Sequence, residues 1–485
     1  MSNTIDIVTG LAARSARGLA GAGRARHRGL ALGLILLAQL LVVIDVSIVT
    51  LALPAIQRGL GFSPAGLQWV ISGYALAFGG FLLLGGRLAD LLGRRRILIA
   101  GAGLFTVASL ACGLAGSPGM LVAARAAEGL GAAMMAPAAM SLILAIFPEG
   151  PERYRALGAL GAVSGAGGAI GVLAGGMLTT WLSWAWIFFV NLPVGALIVA
   201  AARPLLPESR ASQGRRRFDV AGAVTVTGGL SLLVYAVVTA ASHGWASATT
   251  TGLLAGAAAL IAAFVVIESR SAAPLLPLAF FRNRAVTAAN LAGLLLGGLM
   301  FPMFVFLSLY MQQVLGYSAI KAGLAFLVIA GGLIASSGLA QGLVTRVGAK
   351  LVLTAGLLGL AAAQVLFARL PVAGHFTGDL LPGFVVVAAA MGLAFVGDVI
   401  ASTDGVTPAD AGLASGLINA SQQIGGAIGL AVATSVAATR TAALLRAGHP
   451  QTTALAGGFH DAFILTGALA LAAAAAATLI RRTRS

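Results

Sequence analysis

The stretch GRLADLLGRRRIL, Gly86 to Leu98, decides how this chain folds. It sets one acid and four arginines between two long apolar runs, at 67–87 and 97–115, which indicates a short charged turn joining two apolar helices. A weaker copy, QGLVTRVGAK, occupies residues 341–350 between two later apolar runs. The aligned pairs are Leu88 with Leu343, Gly93 with Gly348 and Arg95 with Lys350. The repeat predicts two structurally related halves.

The composition places the chain in a lipid bilayer. Of its 485 residues 59% are hydrophobic and 9% are charged, and the mean hydropathy is +0.99. Only helices and closed barrels satisfy the backbone inside a membrane, and the long apolar runs without alternation predict helices. The fourteen predicted segments are 30–54, 67–87, 97–115, 119–146, 155–180, 184–206, 219–241, 250–268, 285–311, 318–341, 350–370, 380–403, 412–438 and 459–480.

The positive charge is distributed according to membrane topology. With the N-terminus inside, 24 of the 30 Lys and Arg residues fall in cytoplasmic segments and five in outer loops. Both termini are therefore predicted to be cytoplasmic, and the net charge of +16 requires no nucleic acid. The N-terminal stretch is interpreted as a basic flank rather than a cleavable signal peptide. The single cysteine, Cys112, excludes an intramolecular disulfide and a cysteine-based metal cluster.

The repeat and the segment count together predict the domain organisation. The predicted units are a basic cytoplasmic tail at 1–28, a six-helix bundle at 29–207, two additional helices with cytoplasmic linkers at 208–282, a second six-helix bundle at 283–480 and a cytoplasmic tail at 481–485. Paired helical halves of this kind are common in secondary transporters.

Several motifs give the chain a family resemblance. GRLADLLGRRRIL is similar to the loop signature of the major facilitator superfamily, although Leu91 stands where a basic residue is usual. IDVSIVTLALP, QWVISGYAL, WAWIFFVNLPVG, LVAARAAEGLGAA and AGLASGLINASQQIGGAIGLAV resemble motifs of its fourteen-span drug:proton antiporters, with Glu128 where glutamine is common. The resemblance implies the all-α major facilitator fold, with fourteen transmembrane helices as two six-helix bundles plus two extra central helices.

The fifth predicted helix keeps most of the glycines of that family's antiporter motif. They are Gly158, Gly167, Gly171, Gly175 and Gly176. Val172 occupies the position where the family has proline. Glycines allow close helix packing, whereas proline would remove a backbone hydrogen bond and kink the helix. We therefore expect the packing role without a proline hinge.

Three charged residues inside predicted spans are candidates for proton coupling: Asp45, Arg125 and Glu128. A charged acid at mid-bilayer costs about 2.5–3.5 kcal/mol unless it meets a partner or water. Arg125 and Glu128 share a helix face, since they are three residues apart, and the family carries a functional arginine at the Arg125 position. The alternative is structural: Asp45 hydrogen-bonded across helices, and Arg125 with Glu128 a self-contained ion pair.

A second set of residues has other predicted roles. Asp398, the intramembrane acid of the second half, is a candidate substrate-binding residue, with structural hydrogen bonding as the alternative. The gating loop comprises Gly86, Asp90, Gly93, Arg94 and Arg95, in which Asp90 is expected to tie helix ends to the arginines. The alternative for the arginines is topology-setting charge alone.

The resemblance implies a proton-coupled exporter of small amphipathic or cationic compounds in the plasma membrane that works by alternating access. Its expected partners are a small-molecule substrate, protons and membrane lipids, and it is expected to be a monomer. No metal, cofactor or enzyme activity is expected, and the GxxxxGK[ST] phosphate-binding motif does not occur in the sequence. The alternatives are an exporter of one metabolite or lipid-like molecule and, in another class, a membrane receptor, channel or enzyme.

Overall fold

Helices form every regular element in the part of the chain that the structure describes. The structure is a computed structural model that describes residues 2–147, 151–209, 219–271, 274, 281, 283–403 and 411–479. The helices are α1 (Ser2–Leu60), α2 (Pro64–Leu67), α3 (Trp69–Leu92), α4 (Arg94–Gly113), α5 (Pro118–Ile146), α6 (Pro151–Trp181), α7 (Trp186–Phe189), α8 (Asn191–Leu205), α9 (Val220–His243), α10 (Ala248–Arg270), α11 (Arg284–Leu309), α12 (Ala319–Val347), α13 (Ala349–Phe367), α14 (Leu381–Thr403), α15 (Ala411–Arg446) and α16 (Gln451–Thr478). Two π-helical segments, Tyr310–Val314 and Phe376–Leu380, extend α11 and precede α14.

Some of the sequence predictions fall outside this description. Side chains are described from His27 onward, apart from a few helical positions that include Asp90. The surroundings of Gly158 also lie outside the described part, as do residues 210–218 of the first linker and the tail at 481–485.

Each predicted apolar segment coincides with a helix, and eleven of the described helices are long and apolar enough to cross a membrane. Three more contain shorter apolar stretches, Trp69–Leu82, Ile170–Trp181 and Ala221–Val237. The fold is therefore that of an all-helical, multi-pass membrane protein, and the number of fourteen spans stays a prediction. Several helices run past their apolar segments, as α15 does to Arg446, because helical hydrogen bonding does not require apolar side chains.

The repeated turns have the same geometry in both halves. Gly93 ends α3 at φ 115° and Gly348 ends α12 at φ 85°, in the positive-φ region that glycine tolerates best. Two residues later, Arg95 donates to the carbonyl oxygens of Arg203 (3.3 Å) and Leu206 (3.1 Å), at the end of α8.

Lys350 makes the matching contact in the second half. Its Nζ donates to the carbonyl oxygen of Thr478, at the end of α16. The basic residue of each turn thus caps the last helix of its own half, where free carbonyl groups and the helix dipole favour a cation. The weak sequence repeat therefore corresponds to a structural repeat.

Each half has its own apolar core. In the second half the core contains packed phenylalanine rings, among them Phe367, whose ring centroid lies 5.5 Å from that of Phe463 and 6.0 Å from that of Phe384. The first half is filled mainly by alanine, leucine and isoleucine from α1, α3, α4, α5 and α8.

The first of the two additional helices, α9, lies where the halves adjoin, and α10 packs against it. Helix α9 packs against α3 of the first half, α15 of the second half and its own neighbour α10. Thr227 of α9 donates from Oγ1 to the carbonyl oxygen of Gly80 at 3.0 Å, and the rings of Tyr235 and Trp69 lie 6.1 Å apart. Helix α9 therefore contacts α3 at two positions along its length.

The halves are hydrogen-bonded to each other near the C-terminal ends of α1 and α11. Ser308 Oγ donates to the carbonyl oxygen of Thr50 at 3.1 Å, and Gln313 Nε2 donates to Gln57 Oε1 at 3.3 Å. Gly176 of the first half also packs closely against the start of α12: a Cβ added to this glycine would lie only 2.7 Å from the carbonyl oxygen of Ala319. At this end of the bundle the halves are in direct contact.

Candidate functional site

The acid of the first helix lies at the centre of a buried polar cluster. Asp45 is fully buried, and its Oδ2 accepts a hydrogen bond of 2.5 Å from Nη1 of Arg125 on α5. The same Nη1 donates to Oε2 of Glu128 at 2.6 Å. The sequence named these three residues as candidates for proton coupling. The structure places them in one hydrogen-bonded group.

The guanidinium of Arg125 is held by further contacts with α3. Its Nε donates to the carbonyl oxygen of Val70 at 3.0 Å, and its Cζ lies 4.4 Å from the ring centroid of Tyr74. A carbonyl acceptor and an aromatic face both favour a cation, and a planar guanidinium can meet several partners at once. Arg125 thus connects three helices of the first half.

Three polar side chains that sequence reasoning missed complete the cluster. On α4, Ser109 Oγ donates to Glu128 Oε1 at 2.5 Å, and the thiol of Cys112 donates to Glu128 Oε2 at 3.3 Å. Asn191, the first residue of α8, donates from Nδ2 to Asp45 Oδ1 at 3.1 Å and to Ser109 Oγ at 3.3 Å.

Only one of these three residues carried a sequence signal. Asn191 belongs to the quoted motif WAWIFFVNLPVG, whereas a serine and a cysteine in an apolar run are common in helices that have no function there. We call the six residues the Arg125 cluster: Asp45, Ser109, Cys112, Arg125, Glu128 and Asn191.

The charges of the Arg125 cluster do not balance when both carboxyl groups are ionised. Two carboxylates then share one guanidinium, and Asp45, Glu128 and Arg125 are each at most 1% exposed. A net buried charge is costly, and a single proton on either carboxyl group makes the cluster neutral. The composition of the cluster is therefore suited to binding one proton, which would change the hydrogen bonds of the carboxyl group that takes it.

The glycines of α6 set the position of α1 beside the Arg125 cluster. An added Cβ on Gly167 would lie 3.0 Å from Val43 Cγ1, and one on Gly171 would lie 2.8 Å from the carbonyl oxygen of Ile44. Gly175 meets the backbone of α1 one turn further on, at Ile48. This stripe lets the two helices approach closely around Asp45.

Val172, at the position where the antiporter motif has proline, lies on the other side of α6. The helix runs without a break from Pro151 to Trp181, and the carbonyl oxygen of Val172 faces Gly323 of α12. Of the motif glycines, Gly167, Gly171 and Gly175 contact α1 and Gly176 contacts the start of α12, and a valine allows a continuous helix at this position.

Asp398 lies in the second half, apart from the Arg125 cluster. It is fully buried on α14, and its Oδ2 accepts from Gln422 Nε2 at 3.0 Å. Beside it Ser421 donates to Asn290 Oδ1 at 3.1 Å, which links α15 to α11. Among the described residues no hydrogen-bond donor reaches Asp398 Oδ1. In this conformation Asp398 contacts the neighbouring helices α11 and α15.

The gating loop forms hydrogen bonds and ion pairs with the end of α8 and the residues that follow it. The backbone N–H of Arg94 donates to the carbonyl oxygen of Ser209 at 3.0 Å, and its Nη1 donates to that of Ser141 at 3.3 Å. Glu208, which the sequence did not single out, lies 3.6 Å from both Arg95 Nε and Arg96 Nε. A Cβ on Gly93 would lie 2.5 Å from Glu208 Oε1, and one on Gly86 would touch Pro137 at 3.4 Å.

These features agree with comparisons to known proteins. The family model of the Major Facilitator Superfamily matches residues 35–430. The chain belongs to the major facilitator superfamily. It is 42% identical over 461 residues to the cephamycin export protein CmcT of Amycolatopsis lactamdurans, covering 93% of this chain and 92% of that one. It is 40% identical to the puromycin resistance protein pur8 of Streptomyces alboniger, covering 85% and 82%.

Solved structures support the same fold. A bacterial homologue of the human lysosomal transporter Spinster, in an inward-facing and unoccupied conformation, matches with a TM-score of 0.65 at 18% identity. The match covers 94% of this chain and 98% of that chain. Membership of the major facilitator superfamily makes this protein a multi-pass membrane transporter and not an enzyme, which confirms the family resemblance of its motifs.

Proposed function

We propose that this major facilitator protein is a proton-coupled secondary transporter that exports small amphipathic or cationic drug-like compounds across the plasma membrane. The names of its relatives, an export protein for cephamycin and a resistance protein for puromycin, support export of antibiotics. One proton crossing about 100 mV releases about 2.3 kcal/mol, which supports a substrate gradient of about fiftyfold at one-to-one coupling.

The observation that carries proton coupling is the single guanidinium shared by two fully buried carboxyl groups. Asp45 and Glu128 accept from the same nitrogen, so protonation of one strengthens the hold of Arg125 on the other. A transporter that changes which carboxyl group faces water can then pick up a proton on one side and release it on the other. Asp45, Arg125 and Glu128 are the proton-coupling residues of this proposal.

The remaining assignments are part of the same proposal. Asp398 contacts cationic substrates when α11 and α15 move away from it, and the gating loop closes one end of the pathway through Asp90, Arg94 and Arg95. The protein has fourteen spans, with both termini cytoplasmic, and acts as a monomer. The equivalent caps made by Arg95 and Lys350 support bundle boundaries at 29–207 and 283–480.

A second candidate function is export of one metabolite. Two of the relatives are each named for one antibiotic, cephamycin and puromycin, which favours a dedicated exporter, whereas Stp of Mycobacterium tuberculosis is named a multidrug resistance protein, which favours a broad one.

Transport by purified protein in lipid vesicles tests the proposal. A pH gradient of about two units should drive uptake of puromycin, a cephamycin or a cationic dye, and Asp45→Asn and Glu128→Gln should each lower the driven rate at least about tenfold. Asp461→Asn removes a partly exposed carboxyl group that is paired with Arg440 and should leave the rate unchanged.

Testing these compounds side by side also separates the two candidate functions. Driven uptake of several unrelated compounds supports a broad exporter, and uptake of one supports a dedicated exporter. Transport at the parent rate in Asp45→Asn, with the same response to the pH gradient, would refute proton coupling through the Arg125 cluster.

A further inference from the structure

A basic cleft opens in the first half between the middle of α1 and the ends of three other helices. It has a volume of about 570 Å³ and is lined by residues 27–31 of α1, the start of α4, the end of α5 and the end of α8. Its cationic or titratable side chains are His27, Arg28, Arg95 and Arg203. The volume falls in the range of sites that hold small ligands.

No acid is among the described residues that line the basic cleft. Of the described acids, Glu152 lies 3.3 Å from Arg28, and Glu208 lies 3.6 Å from Arg95. Arg203 forms no ion pair with a described residue. Three arginines and no acid are among the described residues that line the cleft, and an anion is the ligand that this charge favours.

The cleft lies at the level of the lipid headgroups. Ile146 and Leu205 end two candidate spans, and Arg95 is the second residue of a third. Since these span ends surround one cavity, they mark one surface of the membrane. Arginine pockets at such a level bind phosphate-containing headgroups.

Part of the wall of the cleft is apolar. Ala31, Ile146 and Leu205 face the same cavity as the arginines. A free phosphate ion makes no use of an apolar wall, whereas a phospholipid places its glycerol and first methylene groups against one. We propose that the basic cleft binds the phosphate group of an anionic glycerophospholipid.

Binding at this place is connected to the gating loop. Arg95 lines the cleft, donates to the carbonyl oxygens of Arg203 and Leu206 and lies beside Glu208. A lipid phosphate that approaches Arg95 therefore competes with Glu208 for the same guanidinium. The site does not depend on proton coupling, because none of its residues belongs to the Arg125 cluster.

Native mass spectrometry of the purified full chain tests the proposal. We expect phosphatidylglycerol to bind about tenfold more tightly than phosphatidylcholine with the same acyl chains. The variant Arg28→Gln/Arg203→Gln should lose about tenfold in phosphatidylglycerol affinity. The control Arg270→Gln/Arg346→Gln removes two exposed arginines from the ends of α10 and α12 and should stay within about twofold of the parent.

Three results would overturn the proposal. Equal losses in the two double variants would mean diffuse surface attraction, and equal binding of both lipids would mean no headgroup recognition. Displacement of the lipid by an equimolar amount of inorganic phosphate would assign the cleft to the free ion. If Arg28→Gln/Arg203→Gln aggregates, the single variant Arg203→Gln replaces it, and an affinity equal to that of the parent would again reject the site.

Discussion

At the scale of single residues, Asp45 shows how a costly side chain becomes stable inside an apolar helix. An isolated charge at mid-bilayer costs about 2.5–3.5 kcal/mol, but Asp45 accepts from Arg125 and from Asn191. Hydrogen bonds to charged groups contribute about 1.5–3 kcal/mol each, so two of them offset that cost. The price of this arrangement is that the loss of any one partner leaves a buried group unsatisfied.

Arg125→Lys is the residue change that most directly tests the shared guanidinium. An ammonium keeps the charge but has one nitrogen, so it loses the separate Nε–H with which Arg125 bonds the carbonyl oxygen of Val70 while Nη1 serves Asp45 and Glu128. We expect the pH-driven transport rate to fall about tenfold or more, with the purified variant still folded. A driven rate equal to that of the parent would contradict the shared-guanidinium model.

At the scale of helices, the α1–α6 contact depends on backbone proximity rather than on side-chain fit. Gly167, Gly171 and Gly175 recur every four residues and face α1. Gly168 is one position away and faces open space, since an added Cβ there would meet nothing within 4 Å. Neighbouring glycines on one helix therefore differ in whether they have room for a larger side chain.

The pair Gly171→Ala and Gly168→Ala tests this contact. Alanine favours a helix over glycine by about 1 kcal/mol, so Gly168→Ala should be neutral or stabilising. Gly171→Ala should instead lower the free energy of unfolding by about 1–3 kcal/mol, because its Cβ would lie 2.8 Å from the carbonyl oxygen of Ile44. Thermal unfolding in detergent measures both, and a shift of the same sign in the two variants would rule out the close approach.

At the scale of the whole molecule, the halves meet through both apolar contacts and hydrogen bonds: Leu51 and Val172 of the first half pack into the core of the second. Ser308, Gln312 and Gln313 of the second half bond to the end of α1. Such hydrogen bonds contribute about 0.5–1.5 kcal/mol each, so these three oppose a separation of the halves only weakly.

Cross-linking the halves tests that movement. In a Cys112→Ala background, Gln57→Cys/Gln313→Cys bridged by a short thiol-reactive linker should stop transport, because these amides are 3.3 Å apart across the halves. The control Arg440→Cys/Asp461→Cys joins α15 to α16 within one half, at a salt bridge of 3.7 Å, and should transport after cross-linking. Full transport by the first cross-linked pair would exclude separation of the halves at this junction.

The sequence alone determined the membrane class, the helical segments, the repeated turn and the superfamily. Each of these depends on local composition or on motif spacing, and apolar runs are obliged to be helical in a bilayer. It also singled out Asp45, Arg125 and Glu128, because charged residues inside apolar runs are conspicuous.

Only the tertiary structure decided which polar groups meet. Asn191 and Asp45 are 146 positions apart, and Ser109 and Asn191 are 82 apart. The rotation of each helix about its axis, set by packing such as the glycine stripe of α6, selects the partners. The contacts of Glu208 with the gating loop and the helix caps made by Arg95 and Lys350 were likewise not evident from the sequence. Helix ends that are distant in sequence come together only when the bundle assembles.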